Sequence, residues 1–194
     1  LRFAYKFRPA PGLFYDAALY PLGAWQPEGG YKIDKALMHA IILQESKFDN
    51  RAENPISKAM GLMQILPSTA NGVLGTDRFS YRGRHALKDP VTNLTVGQTY
   101  LLRLLNRAEV SDNPFFLAMA YNAGPGNLRR WQRELSDIDD ILLFVEMIPF
   151  SETRAYVERV VSNYWIYRMR MGLATPTLEA TISGDMPQLA GIKQ

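Results

Sequence analysis

Along most of the chain apolar residues recur every three or four positions and nowhere sustain a period of two, a pattern that predicts helices and no sheet. From residue 33, Ile33, Leu37, Ala40, Ile41, Gln44, Glu45 and Phe48 fall on one helical face, with Asp34 placed to cap the first turn. Asp89-Pro90 joins a capping side chain to a proline at the first helical position, where the backbone N–H has no partner anyway. Val91, Leu94, Leu101, Leu102 and Leu105 then follow at helical spacing. Asn113-Pro114 repeats the device ahead of Phe115 to Tyr121, and Gly124-Pro125-Gly126 is expected to stop that helix. Two further helical runs are predicted. One covers about 139–147, with Ile141, Leu142 and Val145 on one side; the other covers about 152–171, with Tyr156, Val157, Val160, Val161, Tyr164 and Tyr167 in a row, and closes at Gly172. The pattern predicts an all-α single domain over residues 31–173.

The two ends read differently. Residues 1–30 carry Pro9, Pro11, Pro21, Pro27, Gly12, Gly23, Gly29 and Gly30 among many aromatics. Such punctuation cannot propagate a long helix, so the segment is expected to be an extended arm whose aromatic rings lie against the body. Residues 174–194 are expected to form a flexible tail. The chain opens on Leu1 rather than Met, and so reads as part of something longer.

Composition narrows the function classes. With 47% apolar residues, including ten Tyr, nine Phe and three Trp in 194, the chain can fill a core, which excludes disorder over most of its length. Lys and Arg exceed Asp and Glu by only three, and no run of five or six basic residues occurs, so nucleic acid is not an expected partner. The absence of cysteine removes disulfides and thiolate metal sites. His39 and His85, the only histidines, form no paired zinc motif, and neither a metal nor a cofactor is expected. No apolar run approaches the roughly 20 residues of a membrane span. Neither a nucleophile elbow nor a phosphate-cradling glycine loop is present. Trp25, Trp131 and Trp165 are expected to anchor the core or the arm, given the area an indole buries.

One residue breaks the pattern of its own helix. Glu45 continues the Ile33, Leu37, Ile41 row at four-residue spacing, so a carboxyl group stands on the apolar stripe. It also stands near the helix C-terminus, where the macrodipole disfavours negative charge; desolvation and dipole both push its pKa upward. A carboxylic acid still protonated near neutral pH is what general acid catalysis on a glycosidic oxygen requires. On position alone, the bland alternative is a stripe-edge glutamate with its head in water.

The company Glu45 keeps changes that balance. Gln44-Glu45-Ser46-Lys47-Phe48-Asp49 is followed by Gly61-Leu62-Met63-Gln64-Ile65-Leu66-Pro67-Ser68-Thr69-Ala70, by Ala120-Tyr121-Asn122-Ala123-Gly124-Pro125-Gly126, and by Ile148-Pro149-Phe150-Ser151-Glu152-Thr153-Arg154-Ala155-Tyr156-Val157. These four blocks, in this order, resemble the catalytic domain of the soluble lytic murein transglycosylases, a lysozyme-like family related to the goose-type lysozymes. The resemblance spans about residues 33–171. It implies a cleft enzyme that cuts the β-1,4 bond between N-acetylmuramic acid and N-acetylglucosamine in peptidoglycan, leaving 1,6-anhydro ends. Glu45 matches the family's single catalytic glutamate, acid first and base afterwards.

The resemblance also implies substrate contacts from Gln64, Met63, Tyr121 and Asn122, and from one of Glu146 and Glu152, a choice that spacing leaves open. Gly61 reads as a place where backbone approaches the sugar. Arg154 reads as a partner for an internal carboxylate. Between the first two blocks this chain has Asn54-Pro55-Ile56-Ser57-Lys58-Ala59-Met60-Gly61, one residue longer than the family's usual loop, so the glycan contact assigned to Ser57 rests on an altered segment. The implied setting is the periplasm or cell envelope of a bacterium. Glycan strands are the implied partner, the implied state is a monomer, and the domain is implied to belong to a longer chain or a wall-remodelling complex. Two rivals stay open: a hydrolytic muramidase of goose-type lysozyme character, and a catalytically silent wall-binding module.

Overall fold

The computed structural model describes residues 16–189. Among them the regular elements are helices: α1 (Asp16–Leu19), α2 (Lys35–Ser46), α3 (Pro67–Leu74), a 3-10 helix (Tyr81–Lys88), α4 (Pro90–Leu105), α5 (Pro114–Ala123), α6 (Pro125–Glu134), α7 (Ile141–Met147), α8 (Ser151–Arg170) and α9 (Pro176–Ser183). The only β pairing among these residues is two isolated bridges, Glu53–Met60 and Met60–Ile65. The all-α expectation holds. The three caps expected from sequence are formed: Asp34 accepts from the Ala36 N–H at 2.8 Å, Asp89 from Thr92 at 2.8 Å, and Asn113 from Phe115 and Phe116 at 2.8 and 3.1 Å.

The longest helix, α8, is the axis of the molecule. At about 1.5 Å per residue its 20 residues run about 30 Å. It packs most extensively on α2 and α5, while α5 also contacts α6 and α4, and α4 packs on α3 and the 3-10 helix. Tyr156, Val157, Val160, Val161, Tyr164 and Tyr167 are buried, as the periodicity predicts. The α2–α8 seam is closed at one end by Asp34, whose carboxylate accepts from Tyr164 Oη at 3.0 Å and pairs with Arg168.

Gly124-Pro125-Gly126 stops α5 as expected, with Gly124 at φ +85° and ψ 150°, and Pro125 at once opens α6, a helix the spacing did not predict, whose Leu128 and Trp131 are buried. Several expectations are corrected. Val91 and Leu142 are 43% and 50% exposed, lying at the edges of the stripes assigned to them, while Phe144 takes the buried place beside Ile141 and Val145. In the segment read as a flexible tail, residues 176–183 form α9, with Thr177 and Thr181 buried and Trp165 Nε1 donating to Thr177 Oγ1 at 3.0 Å. The chain then returns to the body, where the Leu189 N–H donates to the Asp112 carbonyl at 2.8 Å. Residues 190–194 lie outside the described residues.

Of the expected N-terminal arm, residues 1–15 also lie outside the described residues. The remainder crosses the α2–α8 seam. Tyr20 sets its ring edge-on to Tyr167 at 5.7 Å, Tyr167 Oη donates to the Pro21 carbonyl at 3.1 Å, and the Gly23 N–H donates to His39 Nε2 at 3.2 Å. Residues 28–32 then dock on α4 through Thr95 and Gln98. His39, 1% exposed, gives its other ring nitrogen to the Lys35 carbonyl at 2.8 Å, and burial lowers its pKa; it is a neutral structural clasp.

Candidate active site

Glu45 sits in the last turn of α2. Ile33, Leu37 and Ile41, which lead up to it on the same face, are each at most 5% exposed, whereas Glu45 itself is only partly covered. Tyr156 of α8 donates its hydroxyl to Glu45 Oε1 at 2.7 Å. Two effects then compete at the carboxyl group. Burial raises its pKa and the tyrosine hydrogen bond lowers it by favouring the charged form; burial wins, and the group is pushed from the ordinary 4.5 up to about 7. Tyr156 stays protonated as the permanent donor, because burial first and the neighbouring Glu45 charge second hold its hydroxyl well above the usual phenol range.

The chain turns sharply just after this residue. Lys47 and Phe48 both take left-handed backbone, at φ 54° and 65°, conformations that cost non-glycine residues about 1–3 kcal/mol each and persist where surrounding packing dictates them. Ser46 Oγ donates to the Leu62 carbonyl at 2.8 Å and so ties α2 to the loop carrying the second sequence block.

That loop is shaped by a residue the sequence reading missed. Asn93 of α4 is fully buried; its Oδ1 accepts from the Met63 N–H at 2.8 Å, and its Nδ2 donates to the carbonyls of Met60 and Leu87 at 2.9 and 2.8 Å. Its signal was of the same kind as that of Glu45, a polar side chain on a buried helical row. Gly61 is needed for this packing. At φ +76° its absent side chain points at the Leu87 carbonyl and Asn93 Nδ2, where a Cβ would stand 2.2 and 2.4 Å away. Gly61 thus has an internal reason of its own, independent of any sugar approach.

The other site residues divide clearly. Tyr121, at the end of α5, donates to the Met63 carbonyl at 2.7 Å, with burial raising its pKa well above the usual range. Met63 itself is fully buried, its thioether filling the space beside Gly97, so its side chain presents no surface to a ligand here and its backbone carbonyl meets Tyr121. Gln64, at φ 45°, commits its amide nitrogen to the Ala52 and Gly61 carbonyls at 3.2 and 3.0 Å. Only its oxygen remains to meet a ligand, as an acceptor. Ser57 lies exposed on a loop held by Asn54, whose Oδ1 accepts from the Ile56 and Ser57 N–H groups at 2.9 and 3.0 Å.

The structure separates the two glutamates that spacing left open. Glu152 shares a recess of about 410 Å³ with Asn122, Pro149, Phe150 and Thr153, and Thr153 Oγ1 donates to Asn122 Oδ1 at 2.7 Å. Glu152 lies one helical turn before Tyr156, the residue that donates to Glu45. Glu146 instead lines an apolar groove with Leu142, Leu143 and Trp165. Arg154 donates to the Ile148 carbonyl at 2.6 Å, bracing the Ile148-Pro149-Phe150 turn; the carboxylate partner expected for it is absent among the described residues. Trp131 is core, edge-on to Phe150 at 5.3 Å, whereas Trp25 is 40% exposed. Among the described residues no three His, Cys, Asp or Glu side chains cluster as metal ligands.

An acid on a helix end, clasped by a tyrosine in an all-α body, defines a class, and comparison with known proteins agrees. The Transglycosylase SLT domain family matches residues 25–144, and the chain belongs to that family. A second profile, the soluble lytic transglycosylase helical domain, matches residues 147–175. Among individual proteins, the chain is 40% identical over 146 residues to the soluble lytic murein transglycosylase of Salmonella typhimurium, covering 74% of this chain and 22% of that one. It is 38% identical over 155 residues to the enzyme of that name from Escherichia coli strain K12, covering 78% and 23%. The crystal structure of the 70 kDa soluble lytic transglycosylase from Escherichia coli superposes with a TM-score of 0.67 at 35% identity over 82% of this chain and 25% of that one. An inactive mutant of lytic transglycosylase Slt from Pseudomonas aeruginosa gives 0.63 at 32% identity over 74% and 23%. The chain thus spans about a quarter of the length of these relatives.

Proposed function

We propose that this domain is a lytic murein transglycosylase that cleaves the β-1,4 bond between N-acetylmuramic acid and N-acetylglucosamine in the envelope of a bacterium, with Glu45 as acid and then base. The observation that carries the proposal is the Glu45 carboxyl: partly accessible, pushed up to about 7, and held by an uncharged donor, Tyr156. A group with that pKa is half protonated at neutral pH and can both give and take a proton there. In the first step Glu45 protonates the leaving glycosidic oxygen as the C1–O bond breaks, the 2-acetamido group of the muramyl sugar stabilising the positive charge at C1. In the second, the glutamate now ionised takes the proton of the same sugar's C6 hydroxyl, whose oxygen closes on C1. The product is a 1,6-anhydro ring, no water is consumed, and the enzyme regains its starting protonation. One carboxyl group serves both transfers, as in the substrate-assisted exceptions to the two-carboxylate arrangement.

The surrounding residues take matching roles. Gln64 Oε1 accepts from a sugar hydroxyl or acetamido N–H, Asn122 and Glu152 form the polar wall of the recess, Ser57 lies on the rim, and Tyr121 holds the Met63 backbone against the site. The domain works as a monomer, as one part of a longer chain or of a wall-remodelling complex. The test is digestion of purified sacculi by wild type and Glu45→Gln, with the fragments weighed. Anhydro-ended fragments from wild type, and turnover lower by several orders of magnitude in Glu45→Gln, are expected. Products heavier by one water identify a hydrolase and overturn the cyclisation step; binding of sacculi without cleavage identifies a silent wall-binding module.

A further inference from the structure

One short segment holds more than the chain's whole excess of positive charge. Lys and Arg exceed Asp and Glu by three over 194 residues, yet residues 78–88 alone carry Arg78, Arg82, Arg84, His85 and Lys88 with no acidic residue among them. The segment, which includes the 3-10 helix, is held so that it projects. Phe79 and Leu87 are fully buried and pin it towards its two ends, while Tyr81 between them is 91% exposed. Asn71 of α3 accepts from the Phe79 N–H at 2.9 Å and donates to Ser80 Oγ at 3.1 Å, and the Gly83 N–H donates to the Ser80 carbonyl at 3.0 Å. Gly83 backs so closely on Arg78 that a Cβ there would stand 1.9 Å from the Arg78 carbonyl. Tyr81 takes left-handed backbone at φ 47°, a conformation that non-glycine residues rarely adopt, and its ring, turned outward, buries nothing that would offset the cost.

The cations of this segment are largely unanswered. Lys88 pairs with Glu53 at 2.7 Å, and Asp89, just outside the segment, is committed to capping α4. Arg78, Arg82 and Arg84 form no ion pair among the described residues. Arg84 Nε is buried and has no hydrogen-bond partner among them, a donor that lacks its acceptor. Arg82 and His85, one 3-10 turn apart, are both exposed. On the neighbouring α3, Arg103 of α4 donates to the Gly72 carbonyl at 3.0 Å, and Leu74, three residues beyond Asn71, is 45% exposed. We infer that this surface docks on anionic phospholipid headgroups, the guanidinium groups meeting lipid phosphates while Tyr81 and Leu74 enter the headgroup layer. A dissolved anion would call on the arginines alone. An exposed tyrosine, with an apolar ring and a polar tip, suits the boundary between headgroups and hydrocarbon, and each cation near such a surface adds to the attraction. Because Asn71 and Gly83 already fix the segment, docking orders little that is not ordered beforehand. The contact is separate from the chemistry of Glu45 and goes beyond the function proposed above.

The test is co-sedimentation of the full chain with vesicles of phosphatidylcholine alone and of phosphatidylcholine mixed with phosphatidylglycerol. It is run at about 0.1 M and about 1 M salt, between which the screening length falls from about 10 Å to about 3 Å. Binding is expected on the anionic vesicles only and should fade at the higher salt. Arg78→Gln and Arg82→Gln should each weaken it about fivefold, whereas Arg82→Lys keeps the charge and most of the binding. Tyr81→Gly should lose binding yet melt no lower than wild type, because glycine accepts the left-handed φ and the ring it replaces is not packed. Equal binding to both kinds of vesicle, binding to neither, or binding indifferent to Arg82→Gln and Tyr81→Gly overturns the assignment. A parallel titration with inorganic polyphosphate separates lipid from anion. Polyphosphate binding weaker than that of the anionic vesicles and unmoved by Tyr81→Gly supports lipid docking; binding as tight as theirs, with Tyr81→Gly altering neither, identifies a general polyanion site and overturns it.

Discussion

Replacing Glu45 by glutamine is expected to make the protein more stable above neutral pH while abolishing turnover. An acid whose pKa is raised on folding binds its proton more tightly in the native state than in the unfolded chain, so stability is highest below the unfolded value and declines as pH rises through the folded one. Moving this carboxyl from 4.5 to about 7 corresponds to about 3 kcal/mol, lost between roughly pH 4.5 and pH 7.5 and constant above that. Glutamine carries no charge to desolvate, and its side-chain oxygen still accepts from Tyr156, so the variant escapes the loss. Denaturant unfolding of both proteins from pH 4 to pH 9 measures the difference directly. The curves should meet near pH 4.5 and separate to about 3 kcal/mol by pH 7.5, a melting-point gap of roughly 6–12 °C for a domain of this size. A difference that does not vary with pH, or a wild type that gains on the variant as pH rises, would refute the reasoning, because the Glu45 pKa would then not be raised by folding.

Three further outcomes follow from the same contacts. Tyr156→Phe removes the hydrogen bond that favours ionised Glu45, so the alkaline descent of kcat/KM should move from near pH 7 upward by about one to two units, since a hydrogen bond to a charged group contributes about 1.5–3 kcal/mol; an acidward move would contradict the assignment. Asn93→Ala leaves the Met63 N–H and the Met60 and Leu87 carbonyls without their partner in the core and should cost about 3–5 kcal/mol in urea unfolding. Gly61→Ala meets both a positive φ and a Cβ position 2.2 Å from the Leu87 carbonyl, and should depress the melting temperature at least as far as Asn93→Ala; near-wild-type melting would show that the loop relaxes freely.

Sequence alone determined the helical class, the caps at Asp34, Asp89 and Asn113, the buried rows of α2 and α8, and the place of Glu45 at the end of the first row, because each is written in the spacing of neighbours along one helix. It also carried the family resemblance, since four blocks in a set order are a one-dimensional signal. Tertiary structure alone decided how those blocks meet. Tyr156 stands 111 residues from Glu45 in the chain, and nothing local to either marks the 2.7 Å bond between them. Glu152 and Glu146 line different recesses, one with Asn122 and the other with Trp165, and Met63 is buried in the space that Gly97 leaves for it. α9 escaped the periodicity because it is short and buries threonines, held by Trp165 rather than by an apolar stripe. Local spacing governs which face of a helix is apolar, whereas the partner that face meets, and hence the pKa of an acid standing on it, depends on burial by residues distant in the chain.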